Sequence, residues 1–274
     1  MKKKEIKKAV KNGYASIATQ GRSCCSCSSA ESKSDVTIKI GYTDEELSEI
    51  PEKANLGLGC GNPVALALLR EGETVLDLGS GAGIDCFLAA NKVGKSGRII
   101  GVDMTSEMIE KARENAREGG YENVEFRLGE IEDLPVADGL IDVVISNCVI
   151  NLVPDKKKAF KEIFRVLKPG GRMLISDIVL LKALPKFVRD SITGYVSCIS
   201  GAIKREEYMR IVEEAGFQDI RIINESYFPI EYMPNDPISC VINKDSEISA
   251  EQAKIVEISV LSITVHATRS SEMS

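Results

Sequence analysis

The run Val75-Leu76-Asp77-Leu78-Gly79-Ser80-Gly81-Ala82-Gly83 constrains this chain most, because it reads as strand, glycine loop and helix start within nine residues. Glycines at alternate positions let the backbone turn tightly and approach a ligand without side-chain collision. Asp103 closes the next apolar run, twenty residues after Gly83, where a carboxylate can accept both hydroxyls of a ribose. Together they predict a nucleotide-bearing cofactor lying across the ends of parallel strands. Strands are expected at 74–78, 98–102, 123–127, 141–146 and 171–176, with helices between them at about 83–92, 106–118 and 155–167. Such alternation predicts an α/β fold with a doubly wound, mostly parallel sheet. The helix at 106–118 shows its own ends: Thr105 as N-cap, an apolar stripe through Met108, Ile109, Ala112 and Ala116, and Gly119-Gly120 as the stop. Lys168-Pro169-Gly170-Gly171 predicts a turn into the fifth strand.

Charge narrows the cofactor. A pyrophosphate prefers a helix N-terminus free of carboxylates, yet Asp77 stands two residues before Gly79 and Asp85 two residues after Gly83. That setting suits a ligand carrying an ammonium group and a sulfonium centre, which is S-adenosyl-L-methionine. The loop has no following Lys-Ser/Thr, which disfavours phosphate-cradling ATPase chemistry. A base is expected between Met104 and Ile131, with a polar contact from Glu130.

Flanking segments are expected to wrap this core. Residues 1–20 read as an amphipathic helix, with Ile6, Val10, Tyr14 and Ile17 on one face and lysines on the others, laid on the main domain with its basic side in water. Asn62-Pro63 is expected to start a helix whose apolar mass comes from Ala65, Leu66, Leu68 and Leu69. A long excursion over 178–204 is followed by a helix at 204–215, a strand at 218–224 and a last β-branched strand from Val256 to Ala267, with surface loop over 229–254. The domain reading is an N-terminal helical, cysteine-bearing region at 1–70, a cofactor-binding domain at 71–225 and a C-terminal extension at 226–274.

Composition excludes several classes. In 274 residues, a formal charge of -6 argues against nucleic acid as a partner, and no stretch reaches the ~20 apolar residues of a membrane span. The lysine-rich start runs into Asn-Gly-Tyr rather than an apolar secretory core, so the expected location is cytoplasmic. The single histidine, His266, sits in the last strand, a poor place for a general base.

The eight cysteines carry the remaining information. Cys86, in an apolar helical run, and Cys240, in a strand-like one, read as core. Cys27 reads as a loop bystander or a spare member of the N-terminal cluster. Cys148 follows the fourth strand at the sheet edge where ligands bind. Cys60 lies among Gly57, Gly59 and Gly61, Cys198 lies in the excursion, and Cys24-Cys25 lie in a small-residue loop. Only Cys24 and Cys27 have Cys-x-x-Cys spacing, so no zinc ribbon or finger is formed. Thiols from distant segments suit a soft, thiophilic centre, a trivalent metalloid being one.

Asp77 to Gly83, Asp103-Met104-Thr105 and Leu167-Lys168-Pro169-Gly170-Gly171 resemble the class I S-adenosylmethionine-dependent methyltransferases. The resemblance implies a seven-stranded, Rossmann-like sheet and cofactor contacts from Asp77, Gly79, Ser80, Gly81, Gly83, Asp103, Met104, Glu130, Ile131 and Asn147. Leu58-Gly59-Cys60-Gly61-Asn62-Pro63, Ser146-Asn147-Cys148-Val149-Ile150-Asn151-Leu152 and Cys198-Ile199-Ser200-Gly201-Ala202, with the Tyr14 helix leading to Cys24-Cys25, resemble the arsenite methyltransferases. That implies arsenite as substrate: Cys148 and Cys198 hold trivalent arsenic throughout, and Cys60 adds a third thiolate for the inorganic form. A cysteine of the N-terminal cluster, Cys25 ahead of Cys24 and Cys27, joins Cys60 in redox exchange. A thioredoxin-like or small-thiol reductant completes turnover, and the chain acts as a monomer giving mono- and dimethylated products. Arsenic carrying a lone pair is its own nucleophile, which accords with the lack of a placed histidine. A positive potential near the thiols is expected to lower their pKa. The alternatives are a methyltransferase for an organic small molecule, such as a quinone or lipid precursor, and a non-catalytic metalloid sensor.

Overall fold

A computed structural model of the chain describes residues 3–20, 33–184, 195, 198–227 and 258–271. Strands β1 (Thr74–Leu78), β2 (Arg98–Asp103), β3 (Val124–Leu128), β4 (Ile141–Asn147), β5 (Leu167–Leu180), β6 (Gln218–Tyr227) and β7 (Val260–Thr268) form one sheet in the order β3-β2-β1-β4-β5-β7-β6. The first five pair in parallel, and β7 runs antiparallel to both β5 and β6. This is the expected doubly wound sheet with seven strands. The order reverses between β1 and β4, so the chain leaves these two strands toward opposite sides and opens a crevice at their C-terminal ends.

Alternation within strands explains the two cores. Leu76, Ile100 and Val144 turn to the face covered by α7 (Lys156–Val166) and α8 (Arg205–Glu214), where Phe160, Ile163 and Tyr208 are fully buried. Val75, Ile99 and Val143 turn to the face covered by α5 (Ile84–Val93) and α6 (Ser106–Gly119), against Phe87, Ile109 and Ala112. Both faces are dry, which is why the strands read as apolar runs rather than alternating ones.

Two expectations change. The turn over 168–171 lies inside β5 as a bulge: pairing with β4 jumps from Ile141↔Leu167 to Val143↔Arg172, and Gly170 takes φ 79°. Arg269 and the Gly170–Gly171 backbone exchange hydrogen bonds of 2.9 and 2.8 Å, tying the bulge to the end of β7. The helix begun at Pro63, α4 (Pro63–Leu66), ends after one turn, capped by the Asn62 side chain. Leu68 then takes φ 45° and is 81% exposed, so it adds nothing to the core.

The N-terminal helix α1 (Lys3–Gln20) packs over the crevice through Val10, which is 1% exposed. Its basic face is not wholly solvated. Lys7 pairs with Glu130 at 2.6 Å and with Glu132, and Lys3 reaches Asp155 at 2.8 Å. Short helices α2 (Lys33–Lys39) and α3 (Asp44–Ser48) follow, the second started by a capping box of Thr43 and Glu46. Among the described residues no helix is long and apolar enough to cross a membrane.

Candidate functional site

One cavity of about 230 Å³ opens at the crevice and runs from the glycine loop to the thiols. Its cofactor end is built as the sequence requires. Gly79 takes φ 69° and Gly81 φ 52°, and the Gly79 and Ser80 N–H groups both bond to the Val102 carbonyl at the end of β2. Asp103 accepts from the Gly81 N–H at 3.0 Å and the Thr105 N–H at 2.8 Å, which fixes the loop against the strand end. A Cβ on Gly81 would meet nothing within 4 Å, so this glycine borders open cavity. At Gly83, φ 101°, a Cβ would meet Phe87 at 2.7 Å and Phe126 at 2.9 Å. Gly83 is not in the cavity wall; it lets α5 start against two aromatic rings.

Carboxylates surround this end. Asp77, 2% exposed, accepts from the Cys86 thiol at 3.2 Å, so Cys86 is core with one polar contact. Burial, then the neighbouring Asp85, pushes Asp77 well above the usual carboxylate range. Burial lifts Asp85 to about 6 against hydrogen bonds from Tyr42 and Asn147. The Ser80 hydroxyl lines the cavity, buried and without a hydrogen-bond partner among the described residues. An open glycine cradle, an unpaired hydroxyl, and Asp77, Asp85 and Asp103 in the wall around it fit S-adenosylmethionine. Met104 and Ile131 both line the cavity. Glu130 lines it too, but its carboxylate is engaged by Lys7.

At the other end, three thiols converge. Cys148 directly follows β4 with φ 61°, its N–H bonded to the Ser176 carbonyl at 2.7 Å, and Cys198 takes φ 67° in the tight turn of the excursion. Left-handed backbone at non-glycine residues is sparsely populated and collects at functional sites. The Cys198 thiol donates to the Cys148 carbonyl at 2.7 Å. The Cys148 thiol is within hydrogen-bonding reach of both Cys198 and Cys60, and the Cys198 thiol also meets the Tyr14 side chain of α1. Cys60, Cys148 and Cys198 are 6%, 8% and 4% exposed, all three free thiols, packed with Val10, Leu152 and Ile178. They form a row centred on Cys148 rather than a cage: among the described residues no three His, Cys, Asp or Glu side chains stand in metal-holding geometry. Cys148 and Cys198 line the cavity, as does Gly59, whereas Cys60 is not part of its wall.

The expected lowering of thiol pKa is reversed. Burial pushes the Cys60 thiol up. For Cys148, the Cys198 hydrogen bond works downward but is outweighed by the Cys60 hydrogen bond, burial and the Asp177 charge. For Cys198, the hydrogen bond with Cys148 and burial both act upward. The thiols are therefore stored protonated, and protonated thiols in an apolar pocket are inert until an electrophile arrives.

Beneath the row lies a polar knot that periodicity does not reveal. Asn151 donates to Asp177 at 2.8 Å and to the Ile178 carbonyl at 2.6 Å, and Tyr208 donates to Asp177 at 3.3 Å. A Cβ on Gly201 would strike the Asn151 carbonyl, so the excursion lies directly on this turn. The signal was available only as polar residues, Asn151 and Asp177, in otherwise apolar runs. Cys24, Cys25, Cys27 and Cys240 lie outside the described residues.

The sequence profile of the methyltransferase domain family matches residues 69–216. The arsenite methyltransferase of Halobacterium salinarum is 49% identical over 232 residues, 80% of this chain and 59% of that protein. That of Aquipseudomonas alcaligenes is 43% identical over 65% of this chain and 54% of that protein. The crystal structure of an arsenic (III) S-adenosylmethionine methyltransferase from Chlamydomonas reinhardtii superposes with a TM-score of 0.65 at 34% identity, covering 86% of this chain and 73% of that one. The chain belongs to the arsenite methyltransferase family. It spans between half and three-fifths of the length of the two curated relatives. A phosphoethanolamine N-methyltransferase of Haemonchus contortus, at 20% identity and a TM-score of 0.61, shares the fold.

Proposed function

We propose that the chain methylates arsenite, transferring methyl groups from S-adenosylmethionine to trivalent arsenic held on Cys148, Cys198 and, for the inorganic substrate, Cys60. The observation that carries this reading is that one cavity joins the glycine cradle to the buried free thiols of Cys148 and Cys198, with the Cys60 thiol within reach of Cys148. Family membership supports the same conclusion.

When bound, S-adenosylmethionine supplies a methyl group on a sulfonium sulfur. Asp103 and the Gly79–Gly81 backbone hold its ribose end, Met104 and Ile131 flank its base, and Asp77 and Asp85 answer its positive charge. Arsenite arrives with three hydroxyl groups. Each thiol that binds it gives up one proton, and each displaced hydroxyl leaves as water, so thiols stored protonated bind without net proton release. Forming the cage requires the row of thiols to rotate about their Cα–Cβ bonds. The apolar wall of Val10, Leu152 and Ile178 keeps water from the reacting atoms. No general base is called for, since arsenic keeps a lone pair.

Methylation oxidises arsenic by two electrons. In this reading Cys60 and a cysteine of the 24–27 cluster return those electrons and form a disulfide, which a thioredoxin-like or small-thiol reductant then reduces. Mono- and dimethylated arsenicals are the products. The cover is residues 1–70, the cofactor domain 71–225 and the extension 226–274, in a monomer working in the reducing cytoplasm. Incubation with arsenite, a dithiol and methyl-labelled S-adenosylmethionine tests the core of the proposal. Label is expected on arsenic; cofactor binding without labelled arsenic refutes the reading and favours an organic substrate.

A further inference from the structure

Asn147, expected among the cofactor contacts, lines the cavity, and its carboxamide also bonds protein groups. Its Oδ1 accepts from the Cys60 N–H at 2.9 Å, and its Nδ2 donates to the Gly61 carbonyl at 2.7 Å and to the Tyr42 hydroxyl at 2.8 Å. Oxygen toward an N–H and nitrogen toward a carbonyl leave one orientation for the amide, with both its hydrogens engaged. Tyr42, 2% exposed, donates in turn to Asp85 at 2.8 Å, in the first turn of α5 directly after the glycine loop. The approach is close because Gly59, at φ 122°, has no Cβ; one there would lie 2.8 Å from the Asn147 Nδ2. On its other side the Cys60 carbonyl accepts from Ser262 of β7 at 2.7 Å. Peptide groups on both sides of the Cys60 Cα are thereby pinned, and the pinning side chain is the neighbour of Cys148 in sequence.

We propose that Asn147, oriented by Tyr42 and Asp85, is a positioning latch that holds the Cys60 loop against Cys148 and so decides whether the site takes a three-thiol substrate or only a two-thiol one. This rests on the reading of Cys60 as the third thiolate for inorganic arsenite. Cys148 and Cys198 are held by their own strand and turn, independently of the latch, so a substrate that already carries one carbon substituent does not need it. The same chain of hydrogen bonds connects the thiol loop to the helix that starts at the cofactor loop.

The test titrates full-length protein by calorimetry with arsenite, which can take three thiols, and with phenylarsine oxide, which takes two. Tyr42→Phe is expected to weaken arsenite about tenfold, the scale of a lost buried hydrogen bond, while leaving phenylarsine oxide within about twofold. In a Cys60→Ser background the same substitution is expected to have no effect on arsenite, because the latch acts only through Cys60. Gly59→Ala, whose methyl group would strike the Asn147 carboxamide and push the loop off it, is expected to repeat the pattern and serves if Tyr42→Phe does not fold. Alkylation of Cys60 by iodoacetamide, followed by mass spectrometry, is expected to quicken in both variants. Equal weakening of both arsenicals, or a Tyr42→Phe effect that persists without Cys60, overturns the latch and leaves a merely structural role. Wild type and Cys60→Ser binding arsenite alike overturns instead the three-thiol reading on which the latch stands.

Discussion

Gly81 and Gly83 share a left-handed backbone but lack a Cβ for different reasons, and the difference is measurable. Gly81→Ala has space in the protein and pays only for its backbone, about 1–2 kcal/mol, but places a methyl group in the cofactor cradle. Gly83→Ala strikes Phe87 and Phe126 and is expected to cost about 2–4 kcal/mol. Urea unfolding should therefore rank Gly83→Ala lower, whereas calorimetric affinity for S-adenosylmethionine should fall further in Gly81→Ala. Among the cysteines, Cys148→Ser and Cys198→Ser are each expected to cut methylation of both inorganic and monomethyl arsenite by at least ~100-fold, since oxygen is a poor ligand for a soft centre. Cys60→Ser should lose the inorganic substrate alone, within about threefold on the other; equal loss on both in product assays would contradict that division. The glycine loop and the Asp103 that fixes it were legible because glycine spacing and a carboxylate closing an apolar run are local signals. Tyr42 and Asn151 were not, because their partners Asp85 and Asp177 lie far along the chain.

At the scale of elements, the helices and strands of residues 74–166 follow their local pattern closely, since both faces of the sheet are buried and periodicity reports burial directly. β5 is longer than expected because β7 pairs along it from Arg172 to Leu180, a partner that local pattern cannot supply. Helix α1 is the element on which access to the thiols turns. Val10 joins the same apolar cluster as Cys60, Cys148 and Cys198, and Lys7 fastens the helix to Glu130 and Glu132. Those ion pairs are partly exposed and contribute little beyond ~1 kcal/mol each, so the helix is held chiefly by its apolar face. Val10→Ala should cost about 1–3 kcal/mol and, by local opening of α1, raise the alkylation rate of Cys198 on the order of tenfold. Unchanged alkylation would mean that reagent enters by another route.

Over the whole molecule, stability should carry the signature of carboxylates buried for function. Burial raises Asp177 from 3.8 to about 7, outweighing its hydrogen bonds and the attraction of Lys156. A carboxyl whose folded pKa is raised contributes stability that is complete below pH 3.8 and is lost as pH rises through about 7. Relative to Asp177→Asn, which does not titrate, the wild type should lose up to about 4 kcal/mol between pH 4 and 7, read from urea unfolding across that range. Lys156, lowered to about 8 by burial, acts with the opposite sign in a higher window: its contribution is complete above 10.5 and lost as pH falls through 8. A flat difference between the two proteins would show Asp177 ionised in the fold throughout.

By itself the sequence determined the parallel sheet and singled out the glycine loop beside carboxylates and the cysteines at the sheet edge, because each rests on residue type at short spacing. Which thiols meet, and how they are held, was decided only in three dimensions. Cys60, Cys148 and Cys198 come from a loop before β1, the end of β4 and the turn after β5, and their convergence depends on strand order, on two left-handed cysteines and on one amide. A positive potential that lowers the thiol pKa values was also expected; the fold instead buries the thiols together beside a carboxylate, and their pKa values are raised. The physical reason is the same in both cases. Spacing along the chain encodes periodicity and turn chemistry, whereas proximity, desolvation and the mutual electrostatics of distant groups exist only once the sheet has brought them together.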